Sequence, residues 1–448
     1  MDLLHKTVVE GIRGPTFTPA YPAGLEGVDL TDIRGFTHGQ PYDAYARLRA
    51  QAPVYWHKEP LYDGPGFWAV TRHADVSAVG SDPETFSSQR GGILMATGDA
   101  SRGHALLFRA SMDAMINMDA PWHMQLRKEH MPFFTPRYLA DVKTRVAGEV
   151  TRLLDEMAPL GGCDLVEHFS ARLPLFTLCE LLGVPPAARS KFLEWMHYLE
   201  LAQNMAMDQA TNPTAPTLEL MQFIQAFNDN VEAMFDYGRY MLHKRRADPQ
   251  ADLMTAIARA QVDGEQLSDE YLDGSWLLIV FAGNDTTRNT LSGTMKLLTE
   301  FPDQHAKLIA RPDLIPNAVN EFIRMVSPVI YMRRTATRDT ELAGQKIAAG
   351  EKVIMYYGSA NRDETVFDSP DQLDVERANA DKHIAFGYGP HVCIGKRVAQ
   401  IQLEEAYRQI LARFPDMRWT GEIDIAPNNF VHAIRKLPVS FAARKAAA

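Results

Sequence analysis

Between Ser268 and Pro302 the chain runs without a proline and with apolar residues three and four apart, which predicts one long helix. Ser268 is placed to cap it, Asp269 and Glu270 suit the positive end of its dipole, and Pro302 closes it. At 1.5 Å per residue such a helix measures about 50 Å, enough to cross a whole domain. Its "WLLIVF" run is too apolar to lie on a surface. A chain organised around it has to be large and mainly helical.

The middle of this stretch breaks the pattern. "AGNDTTRN" sets Gly283, Asn284, Asp285, Thr286 and Thr287 where a buried helix should be apolar. Glycine costs about 1 kcal/mol relative to alanine in a helix interior, and a buried carboxylate needs a partner or a shifted pKa. Either the helix ends there in a polar loop, or it kinks so that a small residue, an acid and a hydroxyl serve a ligand and a proton relay. The apolar periodicity resumes in "TLSGTMKLLTEF", which favours the kink.

The rest of the chain fits a large helical protein. It has 448 residues, 46% of them hydrophobic, and helical periodicity dominates from residue 137 to 320. Short β-like runs, "APVYWHKE" and "GFWAVTRH" early and "GEKVIMYYGSA" and "LPVSFAA" late, predict a small β region built from both ends of the chain. The expected layout is an N-terminal extension over residues 1–40 and one domain over 41–448. Its β-rich parts lie near 53–72, 340–360 and 420–442, and its helices over about 73–330 and 393–413. "MDQATNPTAP" at 207–216 reads as a loop. Met205, Met207 and Met221 beside it are either an adaptable lid or plain core filler.

The formal net charge of −10 argues against nucleic-acid binding. The longest fully apolar stretch, "WLLIVFA" at 276–282, is far short of the roughly 20 residues that span a bilayer. The N-terminus lacks a secretory pattern, so a soluble, cytoplasmic protein without a membrane anchor is expected. Three cysteines, Cys163, Cys179 and Cys393, cannot build a disulfide framework or a structural zinc site. Cys163 and Cys179 read as ordinary core residues.

Cys393 differs. In "HIAFGYGPHVCIGKRVAQ" it stands among glycines at the mouth of a helix, where exposed N–H groups favour a thiolate. A single thiolate under a flat surface suits haem iron, to which it donates electron density that promotes O–O cleavage. Glu321 and Arg324 pair at E-x-x-R spacing, but so can Glu10/Arg13, Glu149/Arg152 and Glu405/Arg408, so the spacing alone is weak evidence.

Together these motifs resemble the cytochrome P450 family of haem-thiolate monooxygenases, in its bacterial soluble branch. The pattern F-x-x-G-x-x-x-C-x-G stands as Phe386, Gly389, Cys393 and Gly395, and the acid-threonine motif as Ala282, Gly283, Asp285 and Thr286. Glu321, Arg324 and, from "VFDSPDQLDVERAN", Arg377 match the ion-pair triad. The similarity extends from about residue 40 to the end. It implies a triangular, mostly α prism with a small β region, and haem b (iron protoporphyrin IX) with Cys393 as axial iron ligand. His123, Arg127, Arg334 and His391 are implied as propionate partners, and Phe386 and Gly395 as further haem-binding residues. It further implies that Asp285 and Thr286 direct protons to bound O2.

The implied reaction inserts one oxygen atom of O2 into a C–H bond of an apolar small molecule, of terpenoid, branched-lipid or steroid-like class. Leu278, Ala282, Val329, Ile330 and Met332 would line its pocket. Electrons would come from a separate ferredoxin and an NAD(P)H-dependent reductase, docking near Lys396 and Arg397, and a monomer is expected. Two rivals stand beside this reading: a peroxide-dependent haem-thiolate peroxygenase, and a non-catalytic haem-binding sensor.

Overall fold

The computed structural model describes residues 23–59, 64–95, 104–211 and 217–442. Its helical part is ordered by apolar stripes. Pro136–Met157 shows how: Pro136 sits at the first helical position, where a missing N–H costs nothing. Leu139, Val142, Val146, Val150, Leu153 and Met157 then recur on one buried face. That face packs into one core cluster with residues of Asp285–Glu300, Ile315–Val326 and Lys396–Arg413. A second cluster joins Arg172–Leu182, Leu218–Ala247 and Asp269–Ala282.

The expected single long helix is two helices, Asp269–Ala282 and Asp285–Glu300, with Gly283 and Asn284 between them. Ser268 does cap the first, accepting from Tyr271 N at 3.4 Å. The interruption has a packing cause at Gly283, where a Cβ would lie 2.9 Å from Ile279 O and 3.1 Å from a Leu178 methyl. Asn284 then turns with φ −106° and ψ −63°, and the helix restarts. Among the described residues no helix is long and apolar enough to cross a membrane.

The β region draws on distant parts of the chain. A five-stranded sheet runs in the order Val54–Glu59, Gly64–Val70, Lys352–Tyr356, Tyr331–Ala336 and Phe86–Ser87. Gly162–Asp164 joins Pro438–Ser440 and Arg418–Trp419 in a second sheet. Residues 23–40 are no loose extension: Leu25, Leu30 and Phe36 are buried with Tyr45, Tyr331 and Tyr356 in one cluster. The helix Arg189–Thr211 continues into the segment expected to be a loop. Met205 and Met207 fall outside the described side chains, and Met221 is exposed.

Candidate functional site

The loop around Cys393 is shaped by two glycines with positive φ, Gly387 at +76° and Gly389 at +73°. Gly389 presses on the helix His73–Ser81 so closely that a Cβ would stand 2.1 Å from Gly80 O. Only glycine serves both demands. The loop is closed by Cys393 N donating to Phe386 O at 2.9 Å, and the helix Lys396–Arg413 leaves it at Gly395.

Cys393 has exposed surface, yet burial is the main influence on its thiol. A Cβ at Gly395 would meet only the Cys393 Sγ, at 3.8 Å, so open space lies beside the sulfur. The sequence pointed to a lowered thiol pKa, and here it is corrected. Desolvation raises it, against the opposing N–H of Gly395, the Arg127 charge, and the N–H and charge of Lys396. Positive charge delivered at the sulfur itself restores the thiolate.

Beside the sulfur stand four basic side chains from three separate parts of the fold. His123 and Arg127 lie one turn apart on Trp122–His130, Arg334 comes from the strand Tyr331–Ala336, and His391 from the cysteine loop. The His123 and His391 rings are 3.9 Å apart between centroids. Burial, then the Arg334, His123 and Arg127 charges, push His391 down to about 2, and burial with Arg127 and Arg334 pushes His123 down to about 4. Burial also lowers Arg127 and Arg334.

Among the described residues no carboxylate lies within ion-pair distance of Arg127 or Arg334. Arg334 Nη1 donates to Arg333 O at 2.8 Å, and His391 Nε2 meets Ser88 Oγ at 3.2 Å. Arg334 is buried and Asp119, the carboxylate that acts on it, lies beyond ion-pair distance, so a guest that brings negative charge would be stabilised here. The donor set therefore fits a haem, with the thiol for its iron and a basic cluster for its two propionates. Ser88 had no signal in the sequence, since it reaches His391 from the far end of the chain.

At the helix interruption, Ala282 is exposed although Trp276, Leu277 and Val280 before it are buried. Thr286 Oγ1 donates to Ala282 O at a long 3.3 Å. The Asp285 carboxylate lies 3.5 Å from Arg288 Nη2 and accepts from Asn284 Nδ2 at 3.4 Å. Asn284 is buried and its Oδ1 has no partner among the described residues. The Thr286 hydroxyl bond is long and therefore weak, so little energy is lost if that hydroxyl turns toward a guest.

Leu278, Val329 and Met332 are half-buried, with surface to offer a ligand. Ile330 is corrected: it is wholly buried in the cluster with Leu25, Tyr331 and Tyr356, and contributes nothing to a pocket. Glu321, Arg324 and Arg377 meet in one network. Arg324 donates to Glu321 at 2.7 and 2.8 Å, and Arg377 Nε at 3.0 and 3.1 Å.

The family model for cytochrome P450 matches residues 112–420. The chain is 36% identical over 423 residues to linalool 8-monooxygenase of Pseudomonas putida, covering 93% of this chain and 99% of that protein. It is 33% identical to steroid C26-monooxygenase of Mycolicibacterium smegmatis, over 92% of this chain and 96% of the relative. Among solved structures, a Mycobacterium marinum cytochrome P450 in complex with pseudoionone aligns with a TM-score of 0.83 and 34% identity. That alignment covers 95% of this chain and 100% of the other.

Proposed function

The chain belongs to the cytochrome P450 family of monooxygenases, and from that premise we propose that it hydroxylates an apolar small molecule, with an acyclic terpenoid as the favoured substrate class. The observation that carries this reading is the Cys393 loop, shaped by Gly387 and Gly389, with the basic side chains of Arg127, Arg334, His123 and His391 gathered near it and, among the described residues, no carboxylate within ion-pair distance of either arginine. When bound, haem supplies the O2 binding and electron-transfer chemistry. Haem b is the proposed form; Cys393 would bind its iron, and His123, Arg127, Arg334 and His391 would hold its propionates. Phe386 and Gly395 flank the sulfur side.

The protein's own groups do the rest. Thr286, at the helix interruption, holds a proton at Oγ1, and Asp285 exchanges protons between solvent and that hydroxyl. A peroxygenase or a haem sensor has no use for such a pair, which favours the O2-dependent reading over both. Leu278, Ala282, Val329 and Met332 offer an apolar lining that excludes water and orients the substrate. The relatives named for linalool and the structure holding pseudoionone support an acyclic terpenoid, while the steroid C26-monooxygenase supports a sterol side chain as the second choice. Electrons enter from a separate ferredoxin and its NAD(P)H-dependent reductase, and the protein acts as a cytoplasmic monomer.

The test is the absorption spectrum of the reduced, carbon monoxide-bound protein, which should show the red-shifted thiolate band; its absence refutes the ligand assignment. A panel of linalool, pseudoionone and a sterol, read by the haem spin-state shift, then ranks the substrate classes. Replacing Thr286 with Ala should divert reducing equivalents to peroxide, and unchanged coupling of NAD(P)H to product removes Thr286 from the proton path.

A further inference from the structure

Away from the cysteine loop, one buried carboxylate joins three helices. Asp273, on Asp269–Ala282, is 1% exposed. Arg239 of Leu218–Ala247 grips it with two bonds, donating from Nε to Oδ1 at 3.2 Å and from Nη2 to Oδ2 at 2.6 Å. Arg109 of a third helix, Ala105–Met112, comes only to 3.5 Å from the same Oδ2, and its side chain is 43% exposed. Glycines next to Asp273 and Arg239 let the helices close in: a Cβ at Gly274 would stand 2.4 Å from the Asp113 carbonyl, and one at Gly238 would stand 2.7 Å from Trp276 Nε1. The junction is tightly packed, with one strong arm and one weak arm.

The weak arm has a second acid close by. Asp113 follows Arg109 by four residues, the spacing at which an acid and a base pair along a helix. Here they do not pair: Asp113 is 4% exposed, and its Oδ2 has no partner among the described residues. Burial pushes its carboxyl up to about 6, against the Arg109 charge and with Asp273 adding to the rise. Keeping that carboxylate out of water is a cost of the docked arrangement. Lifting Ala105–Met112 off the central helix would return Asp113 to solvent and free Arg109 to pair with it. The three joined helices also each contribute half-buried apolar side chains to one cluster: Leu106 and Leu107, Phe227, and the proposed pocket residue Leu278.

We propose that Arg109 is a positioning residue for the substrate pocket: paired with Asp273 it docks Ala105–Met112 as one wall, and exchanged onto Asp113 it releases that wall, while Arg239 keeps Leu218–Ala247 in place. The role in the pocket rests on the substrate site proposed around Leu278, whereas the latch rests on the ion pairs and the stranded acid alone. Arg109 suits the task because its hold on Asp273 is long and partly exposed, so little has to be broken to move it. Two acids competing for one cation give the helix two discrete positions that a ligand can bias.

The experiment is amide hydrogen exchange of the haem-loaded full chain, without substrate, for the wild type and for Arg109→Met, Arg109→Lys and Asp113→Asn. Arg109→Met should speed exchange in Ala105–Met112 about threefold, in line with a partly exposed ion pair, and leave Leu218–Ala247 unchanged. Arg109→Lys should stay close to wild type. Asp113→Asn removes the buried charge and the competing acid together, and should slow exchange in Ala105–Met112. Unchanged exchange there in Arg109→Met, equal speeding of both helices, or faster exchange in Asp113→Asn overturns the latch. The pocket role is read with whichever of linalool, pseudoionone and a sterol shifts the haem spin state: its dissociation should be about threefold faster in Arg109→Met and slower in Asp113→Asn. Unchanged dissociation beside altered exchange overturns that role. No spin-state shift with any of the three overturns the substrate reading itself, a failure that the exchange measurement does not share.

Discussion

Glu149–Arg152 and Glu321–Arg324 have the same residues at the same spacing on a helix, and the fold treats them in opposite ways. Arg152 reaches Glu149 at 2.5 Å with 47% of its side chain exposed, and shares itself with Glu156. Glu321 and Arg324 are both 0% exposed. Around them Arg377 Nε shares its N–H between both Glu321 oxygens, Asp374 N donates to Glu321, and Arg324 Nη1 donates to the carbonyls of Asn361 and Pro370, each at 2.8 Å. In Glu405/Arg408 the glutamate pairs elsewhere, with Lys143 at 3.2 Å. Glu10/Arg13 lies outside the described residues. The lesson is that the spacing makes a pair available, and burial decides whether it clamps three segments of chain or decorates a surface.

That contrast can be broken most forcefully at Arg324. Arg324→Met leaves Glu321 buried with half its partners and strands two carbonyls. It should cost about 3–5 kcal/mol in urea unfolding, and a loss below 1 kcal/mol makes the two pairs equivalent.

A buried ionisable group without any partner extends the comparison. Both ring nitrogens of His130 lack partners among the described residues, and burial, with Arg127 adding to it, pushes the group from 6.5 down to about 4. In this range the unfolded state binds the proton that the folded state refuses. Stability is therefore whole above pH 6.5 and falls toward pH 4, at roughly 1.4 kcal/mol per unit from this residue. Other buried histidines such as His123 add to the total slope between pH 6.5 and 4, and His130→Phe should reduce that total by about the share of one residue when unfolding is measured at a series of pH values.

Arg377→Lys keeps the charge but loses the Nε–H shared between the Glu321 oxygens and the bond to Asp368 O, and should cost about 1–2 kcal/mol. The smallest effect belongs to the exposed pair. Arg152→Met should change stability by less than about 1 kcal/mol, and moderate salt should erase the difference from wild type. A larger, salt-resistant loss there contradicts the distinction drawn between the two pairs.

Much of the site was legible because it is written locally. The glycines of the cysteine loop, the Ser268 cap and the polar break at Gly283–Thr286 are each set by neighbours in sequence. The structure shows the positive φ at Gly389 and the helix interruption there. Other features escaped because they depend on distant residues. Ile330 turned from the pocket into a cluster built with Leu25, far back in the chain. Residues 23–40 joined the core for the same reason, and Lys396 found Phe386 across the loop instead of solvent.

By itself the sequence determined the helical class, the loop that presents Cys393, and which residue types were available to hold a haem. Only the tertiary structure decided which E-x-x-R pair became a buried triad. It also decided that four basic groups would crowd together with, among the described residues, no carboxylate in ion-pair contact with either arginine, and that the Cys393 thiol would be raised by burial instead of lowered by its helix. The physical reason is that capping, turn geometry and helical spacing act over a few residues. Desolvation and charge interactions are set by everything packed around a group, whatever its distance along the chain.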